Sequence, residues 1–438
     1  MHTLERLKRG ELAGIRRLDL SADLREFPEE IFGLADTLEV LNLSGNQLRT
    51  LPADVSRLRK LRILFCSDNP FTAMPESLGD CPRLEMVGFK ANRIRHLPAA
   101  ALPPALRWLI LTDNQLQTLP PELGRCQRLQ KLMLAGNRLG SLPDSLAGCG
   151  RLELLRIAAN RLAALPEWLL ALPRLGWLAF AGNPFSDANE AATLARHPLP
   201  PVPRDSLVLH ERLGQGASGI IHRAEWRPAG QPPKAMAAKL FKGHLTSDGL
   251  PHSEMAACVA AGRHANLIDV AGPLAEAAGQ TPGLLMELIE PSFQPLAGPP
   301  SLASCTRDCY ADGQRFETAQ VLRIARGVAS AVAHLHRRGI LHGDLYAHNL
   351  LVDRQGECLL SDFGAASFFD PASAMGRALQ RVEVRAFGCL LEELLQRCAE
   401  CAQDVRAQRL LQLQQECLAE RAEQRPDFTQ LDLNLAAL

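Results

Sequence analysis

The chain has 438 residues, 47% hydrophobic and 22% charged, the composition of an ordinary globular protein with room for two or three domains. Lys plus Arg and Asp plus Glu balance at 48 each, so no net field draws the protein to nucleic acid or an anionic membrane. "MHTLERLKRGELAGIRRLDL" is too interrupted for a secretory signal, and no run of 18 apolar residues predicts a membrane span, so a cytoplasmic location is expected.

The first half is periodic. Asn46, Asn69, Asn92, Asn114, Asn137, Asn160 and Asn183 follow one another at intervals of 23, 23, 22, 23, 23 and 23 residues. Each of the first six is followed six residues later by Pro52, Pro75, Pro98, Pro120, Pro143 or Pro166. "IRRLDLSADL", from Ile15, is an earlier copy with Asp23 in the Asn position, giving about eight repeats of 22–23 residues. Segments such as "LEVLNLSGNQL" and "LQKLMLAGNRL" resemble leucine-rich repeats over about residues 15–185. One repeat cannot bury its own apolar face, so such repeats stack into an α/β solenoid with short strands and an Asn ladder.

Cys81, Cys126 and Cys149 each fall three residues before a repeat-starting Leu, where other repeats have Leu58 and Leu172. That register predicts small core side chains rather than disulfides or metal ligands, and Cys66 falls at an inward strand position. Cys398 and Cys401 form a lone C-x-x-C without a second pair at zinc spacing, and are read as reduced thiols on or near a helix. Outward strand positions carry Phe65, Trp108, Ile110, Met133 and Trp177, where polar residues would be the default. This stripe predicts a concave face for a protein substrate or partner, or one that packs on the chain's own second half.

The period stops after "AGNPF". Residues 186–206 hold a short helical stretch and then a run rich in proline. A repeat domain of residues 1–190, a linker of 191–206 and a second domain of 207–438 are expected.

In the second domain, Gly214, Gly216 and Gly219 stand in G-x-G-x-x-G spacing. The alternating, β-branched "IIHRAEW" that follows predicts a strand, not the helix a dinucleotide-binding turn requires. Lys239 follows in "AMAAKLF" and Glu254 in a predicted helix, "SEMAACVAAG". "GLLMELIE" then precedes a Pro-, Gly- and Ser-bearing insertion over 291–316, and a long amphipathic helix leads into "LHGDLYAHNLL". Asn349 lies five residues after Asp344, and "DFG" begins at Asp362. This ordered set, with "EVRAFGCLLEELL" and "ERAEQRPDF" behind it, resembles an α+β, bilobal protein kinase over about residues 207–430. The whole architecture is similar to bacterial leucine-rich-repeat protein kinases.

The resemblance implies ATP and Mg2+ as cofactors. Leu213, Gly214, Gly216, Gly219, Ile221, Ala237, Lys239, Met286, Glu287 and Ile289 would bind the nucleotide, with Met286 as gatekeeper and Lys239 paired to Glu254. Asp344 would be the catalytic base, and Asn349 and Asp362 the metal ligands, offering the hard oxygens magnesium needs.

Three departures stand out. Gly343 replaces the Arg that in the family pairs with a phosphorylated activation loop, and the loop from Ala365 to Val382 offers only Ser367 and Ser373 as acceptors. Tyr346 and His348 stand where Ser/Thr and tyrosine kinases place a phosphate-contacting Lys or Arg. His348 is expected either to steady the γ-phosphate or to serve structure. The A-P-E segment is absent, which deprives Arg425 of its usual carboxylate partner and leaves substrate delivery to the repeats. Transfer to Ser/Thr hydroxyls is the expected function. A phosphotransferase of the aminoglycoside or choline kinase type, which shares "HGD", and a non-catalytic nucleotide-binding scaffold are the alternatives.

Overall fold

A computed structural model describes residues 2–216, 218–243, 245–399 and 404–438. Two compact units divide the chain, residues 1–174 and 175–438.

The first unit opens with a short helix, α1 (Leu4–Lys8), and holds seven three-residue strands, β1 (Arg17–Asp19), β2 (Val40–Asn42), β3 (Ile63–Phe65), β4 (Met86–Gly88), β5 (Trp108–Ile110), β6 (Lys131–Met133) and β7 (Leu154–Arg156). They pair in parallel and in register, Arg17 against Val40 and onward to Met133 against Arg156. Short 3₁₀ turns and one helical turn, α2 (Glu167–Leu170), return the chain on the other side.

The repeated asparagines explain the period. Asn137 accepts the Leu116 N–H at 3.0 Å and donates to the Leu111 and Leu134 carbonyls, both at 2.9 Å. Asn69, Asn92, Asn114 and Asn160 repeat this scheme, so each amide satisfies buried backbone groups of two successive turns. The residue before each Asn takes the left-handed conformation, even where it is Asp68, Ala91, Asp113 or Ala159 (φ 52 to 57). A left-handed Ala carries a steric cost that the locally bonded ladder offsets. Cys66, Cys81, Cys126 and Cys149 are buried and free, and burial pushes the last three thiols up to about 11. Cys398 is also free, while Cys401 lies outside the described residues.

The outward stripe is less open than its sequence suggests. Phe65, Trp108 and Ile110 are half-buried. Met133 is buried, its Sδ 3.3 Å from Trp108 Nε1, and Lys131 Nζ lies 4.4 Å from the Trp108 ring centroid. Trp177 corrects the partner-facing expectation. It lies on β8 (Trp177–Ala179) in the second unit, is 2% exposed, and stacks on Tyr346 with ring centroids 4.4 Å apart. A side chain buried in its own fold cannot meet a partner.

In the second unit β8 leads into α3 (Pro184–Arg196), started by a capping box of Asn183 and Ser186. The proline-rich stretch after it is anchored. The Val202 N–H donates to the Pro273 carbonyl at 2.8 Å, and Val202 packs with Ala224, Ala238, Leu274 and Leu285.

A five-stranded antiparallel sheet follows, from β9 (Leu207–Gln215), β10 (Gly219–Trp226), β11 (Lys234–Phe241), β12 (Val270–Pro273) and β13 (Gly283–Glu287), in the order β12-β13-β11-β10-β9. Helix α4 (Pro251–Ala261) sits between β11 and β12 in sequence. A helical part follows, from α5 (Thr318–Arg337), α6 (Ala374–Leu395), α7 (Val405–Cys417) and α8 (Phe428–Ala436). It also carries β14 (Gln294–Pro295), β15 (Ile340–Leu341), β16 (Leu350–Val352), β17 (Cys358–Leu360) and β18 (Ser367–Phe368). β16 pairs with β14 and β17, and β15 with β18, which holds the loops between them in place. No helix among the described residues is long and apolar enough to cross a membrane.

Candidate active site

The hairpin of β9 and β10 roofs a cleft of about 590 Å³. Leu213, Gly214, Gly216, Gly219, Ile221, Ala237, Lys239, Met286, Glu287 and Ile289 all line it, as do Glu254 and Asp362. A side chain at Gly219 would bring Cβ within 2.5 Å of the Leu240 carbonyl oxygen, so glycine lets β10 lie close on β11. The Glu287 N–H is taken by the Asp269 carbonyl at 2.8 Å, so of that backbone unit only the carbonyl could serve a ligand. Sequence reasoning missed Leu288, Phe293 and Leu351, which also line the cleft.

Lys239 on β11 forms an ion pair with Glu254 on α4. Burial alone would lower the Lys239 pKa, but Glu254 and Asp362 together raise it above its usual value, so the group remains an ammonium.

The loop from β15 to β16 supplies the polar floor. The Asp344 N–H donates to His342 Nδ1 at 3.3 Å, so His342 carries its proton on Nε2, which donates to the Ser361 carbonyl at 3.0 Å. His342 thus ties the loop to the residue preceding Asp362. Asn349 Nδ2 donates to Asp344 Oδ2 at 2.8 Å and to the Asp344 carbonyl at 2.9 Å. Asp362 adopts φ 56, and the Gly364 N–H holds its Oδ1 at 3.0 Å. Asn349 Oδ1 and Asp362 Oδ2 are the side-chain oxygens that could serve a hard cation.

His348 is held from the insertion. Asp308, buried, accepts the His348 backbone N–H at 3.0 Å and lies 2.8 Å from Nδ1. Burial opposes charge on this ring, yet the hydrogen bond and the nearby Asp308, Asp344 and Asp362 raise its pKa above the usual value. With Nδ1 engaged, Nε2 is the atom that could serve a phosphate. Asp308 escaped sequence reasoning because it stands in an irregular stretch with no motif.

Gly343 has φ 76, and a Cβ there would sit 2.5 Å from the Ala365 carbonyl oxygen. Arginine cannot be accommodated in this backbone. The Gly343 N–H donates instead to Glu383 Oε1 at 2.6 Å, and the other oxygen meets the His342 N–H at 3.3 Å and His336 Nε2 at 2.7 Å. Ser367 is fully buried, and Ser373 caps α6 by accepting the Gly376 N–H at 2.9 Å. Arg425, buried, donates to the Ala419 and Arg381 carbonyls at 2.9 and 3.1 Å, and burial lowers its pKa to about 10.

Comparison with known proteins agrees with this geometry. The family described as protein tyrosine and serine/threonine kinase matches residues 207–405, and leucine rich repeat families match 37–58 and 104–162. The serine/threonine-protein kinase CTR1 of Arabidopsis thaliana is 26% identical over 215 residues, covering 44% of this chain and 24% of that protein. The probable serine/threonine-protein kinase gdt4 of Dictyostelium discoideum is 27% identical over 165 residues, covering 36% of this chain and 9% of the relative. A mitogen-activated protein kinase kinase kinase of Aspergillus fumigatus, bck1, is 41% identical over 70 residues, covering 16% of this chain and 4% of its own length. The matched stretches are thus less than a quarter of these relatives. The chain carries a protein kinase domain preceded by leucine-rich repeats.

Proposed function

We propose that the protein is an ATP- and Mg2+-dependent protein kinase that transfers the γ-phosphate to Ser or Thr hydroxyls, with the repeats recognising a protein substrate or partner. The observation that carries this reading is one continuous constellation. The cleft holds Lys239, Glu254 and Asp362, and Asp344 and Asn349 are hydrogen-bonded partners tied through His342 to Ser361, the residue before Asp362.

The donor set fits the group it would hold. Asn349 and Asp362 offer the hard oxygens that magnesium prefers, and Lys239 supplies a fixed positive charge for phosphate. Bound ATP and Mg2+ supply the phosphoryl group and neutralise its charge. Asp344 accepts the proton of the acceptor hydroxyl, and its bond from Asn349 fixes the carboxylate's orientation. His348, its Nδ1 held by Asp308, steadies the transferring phosphate through Nε2. Phe65, Trp108 and Ile110 are the repeat residues left half-exposed for a partner. Among the described residues no cysteine is in a disulfide and most are buried, which suits a reducing compartment such as the cytoplasm.

Incubation with γ-labelled ATP, a protein panel and a small-alcohol panel tests this. Label is expected in protein Ser and Thr and absent with Asp362→Ala. Label in small alcohols would support a small-molecule phosphotransferase instead. Nucleotide binding without transfer would leave a scaffold.

A further inference from the structure

The segment that sequence reads as the last repeat lies in the catalytic unit and touches the catalytic loop, the strand after DFG and the Glu254 helix at once. Gly176 comes against α6, where a Cβ would be 3.3 Å from the Ala386 nitrogen. Trp177 Nε1 donates to the Leu345 carbonyl at 3.0 Å, one residue after Asp344, while its ring stacks on Tyr346 with an interplanar angle of 2°. The Leu178 carbonyl oxygen would stand 2.8 Å from a Cβ on Gly343. The Phe180 and Ala181 N–H groups donate to Ser367 Oγ at 2.8 and 3.2 Å. Farther on, Glu190 of α3 accepts from Ser253 Oγ at 3.1 Å, beside Glu254 on α4. Glu190, Ser253 and Glu254 are all buried.

We infer that residues 175–196 act as an internal brace that positions the catalytic loop, the post-DFG strand and the Glu254 helix, with Trp177 the positioning residue for Asp344. This rests on the kinase reading above. In the family resemblance, an Arg before the catalytic Asp and a phosphate on the activation loop tie these parts together. Here Gly343 excludes that Arg, and Ser367, the acceptor on the strand, is buried and bonded to the brace. A phosphate on Ser367 would have no room and would break both bonds from Phe180 and Ala181. The brace is covalently part of the chain, so its effective concentration is high and needs no modifying enzyme.

The test uses the full chain and measures transfer kinetics, thermal unfolding and amide hydrogen exchange on the same samples. Trp177→Ala is expected to lower kcat by about 100-fold, the scale of a slight misplacement of reacting groups, with the ATP KM within about threefold. Exchange across 341–349 should rise. Trp177→Phe, which keeps the stack and loses the bond to Leu345, should recover about tenfold of that loss. Unchanged kcat in folded Trp177→Ala, or a parallel fall of kcat, ATP affinity and unfolding temperature, overturns the brace. If Trp177→Ala does not fold, Glu190→Ala, which removes the acceptor of the Ser253 hydroxyl, decides. It should raise exchange across 251–261 and lower kcat about three- to tenfold, and no change in either overturns the proposal. Absence of transfer by the unmutated protein would defeat the kinase reading instead, and the exchange data on the same variants would still judge the brace.

Discussion

Asp344→Asn is expected to lower γ-phosphate transfer by about 10³-fold while nucleotide affinity stays within about twofold. Asn has the same shape as Asp, and its carbonyl oxygen can still accept the Asn349 amide that now donates to Asp344 Oδ2 at 2.8 Å. The backbone tie from Asp344 N–H to His342 is untouched. The loop therefore keeps its position and loses only the ability to take a proton. Single-turnover transfer and nucleotide titration on the same variant separate the two effects. A rate within a few-fold of the unmutated protein would remove Asp344 from the role of base.

Glu383→Ala should have the largest effect on stability. The Glu383 carboxylate is about 1% exposed and receives the N–H groups of His342 and Gly343 as well as His336 Nε2. Its removal leaves two buried amides and a buried imidazole without their acceptor, a loss on the order of 3–5 kcal/mol. Burial alone would raise the Glu383 pKa, but the hydrogen bonds it accepts and the nearby His336 and His342 outweigh it and hold it below the ordinary carboxyl value. A depressed carboxyl stabilises the fold above its unfolded pKa and loses that contribution as pH falls through the folded one. The gap between unmutated protein and variant is thus expected to be full at neutral pH and to shrink below about pH 4.5, as read by urea unfolding at several pH values. A gap that grows on acidification would mean that the carboxyl is neutral in the fold.

Sequence was most informative where a local rule repeats or a motif has one mechanical meaning. The 23-residue interval placed every ladder asparagine, because the amide must meet the same backbone groups in each turn. The glycines and Lys239 fall on the lining of the cleft, and the five-residue spacing brings the Asn349 amide onto Asp344. Glu383 opens "EVRAFGCLLEELL" with nothing in that run to mark its role, because its three donors lie some 40 residues upstream. Asp308 was hidden for the same reason, 40 residues from His348 in a stretch without periodicity.

Trp177 shows the limit of pattern most clearly. Its register in "LGWLAF" fixes which strand face it occupies and says nothing about what covers that face. The covering group is Tyr346, far along the chain, and the bond to Leu345 spans 168 residues. Two of the departures in "LHGDLYAHNLL" are therefore complementary. Gly343 makes room in a backbone that Arg could not adopt, and Tyr346 supplies the surface on which Trp177 stacks.

A kinase domain whose loops are set by contacts within the chain should transfer phosphate without first carrying one on its loop. The initial rate of γ-phosphate transfer by the full chain stripped of phosphate, beside untreated protein and with Ser373→Ala as a second arm, tests this. Equal rates, within about twofold and without a lag, are the expected result. A lag or a lost rate that returns as the enzyme incorporates phosphate into residues 365–382 would contradict it.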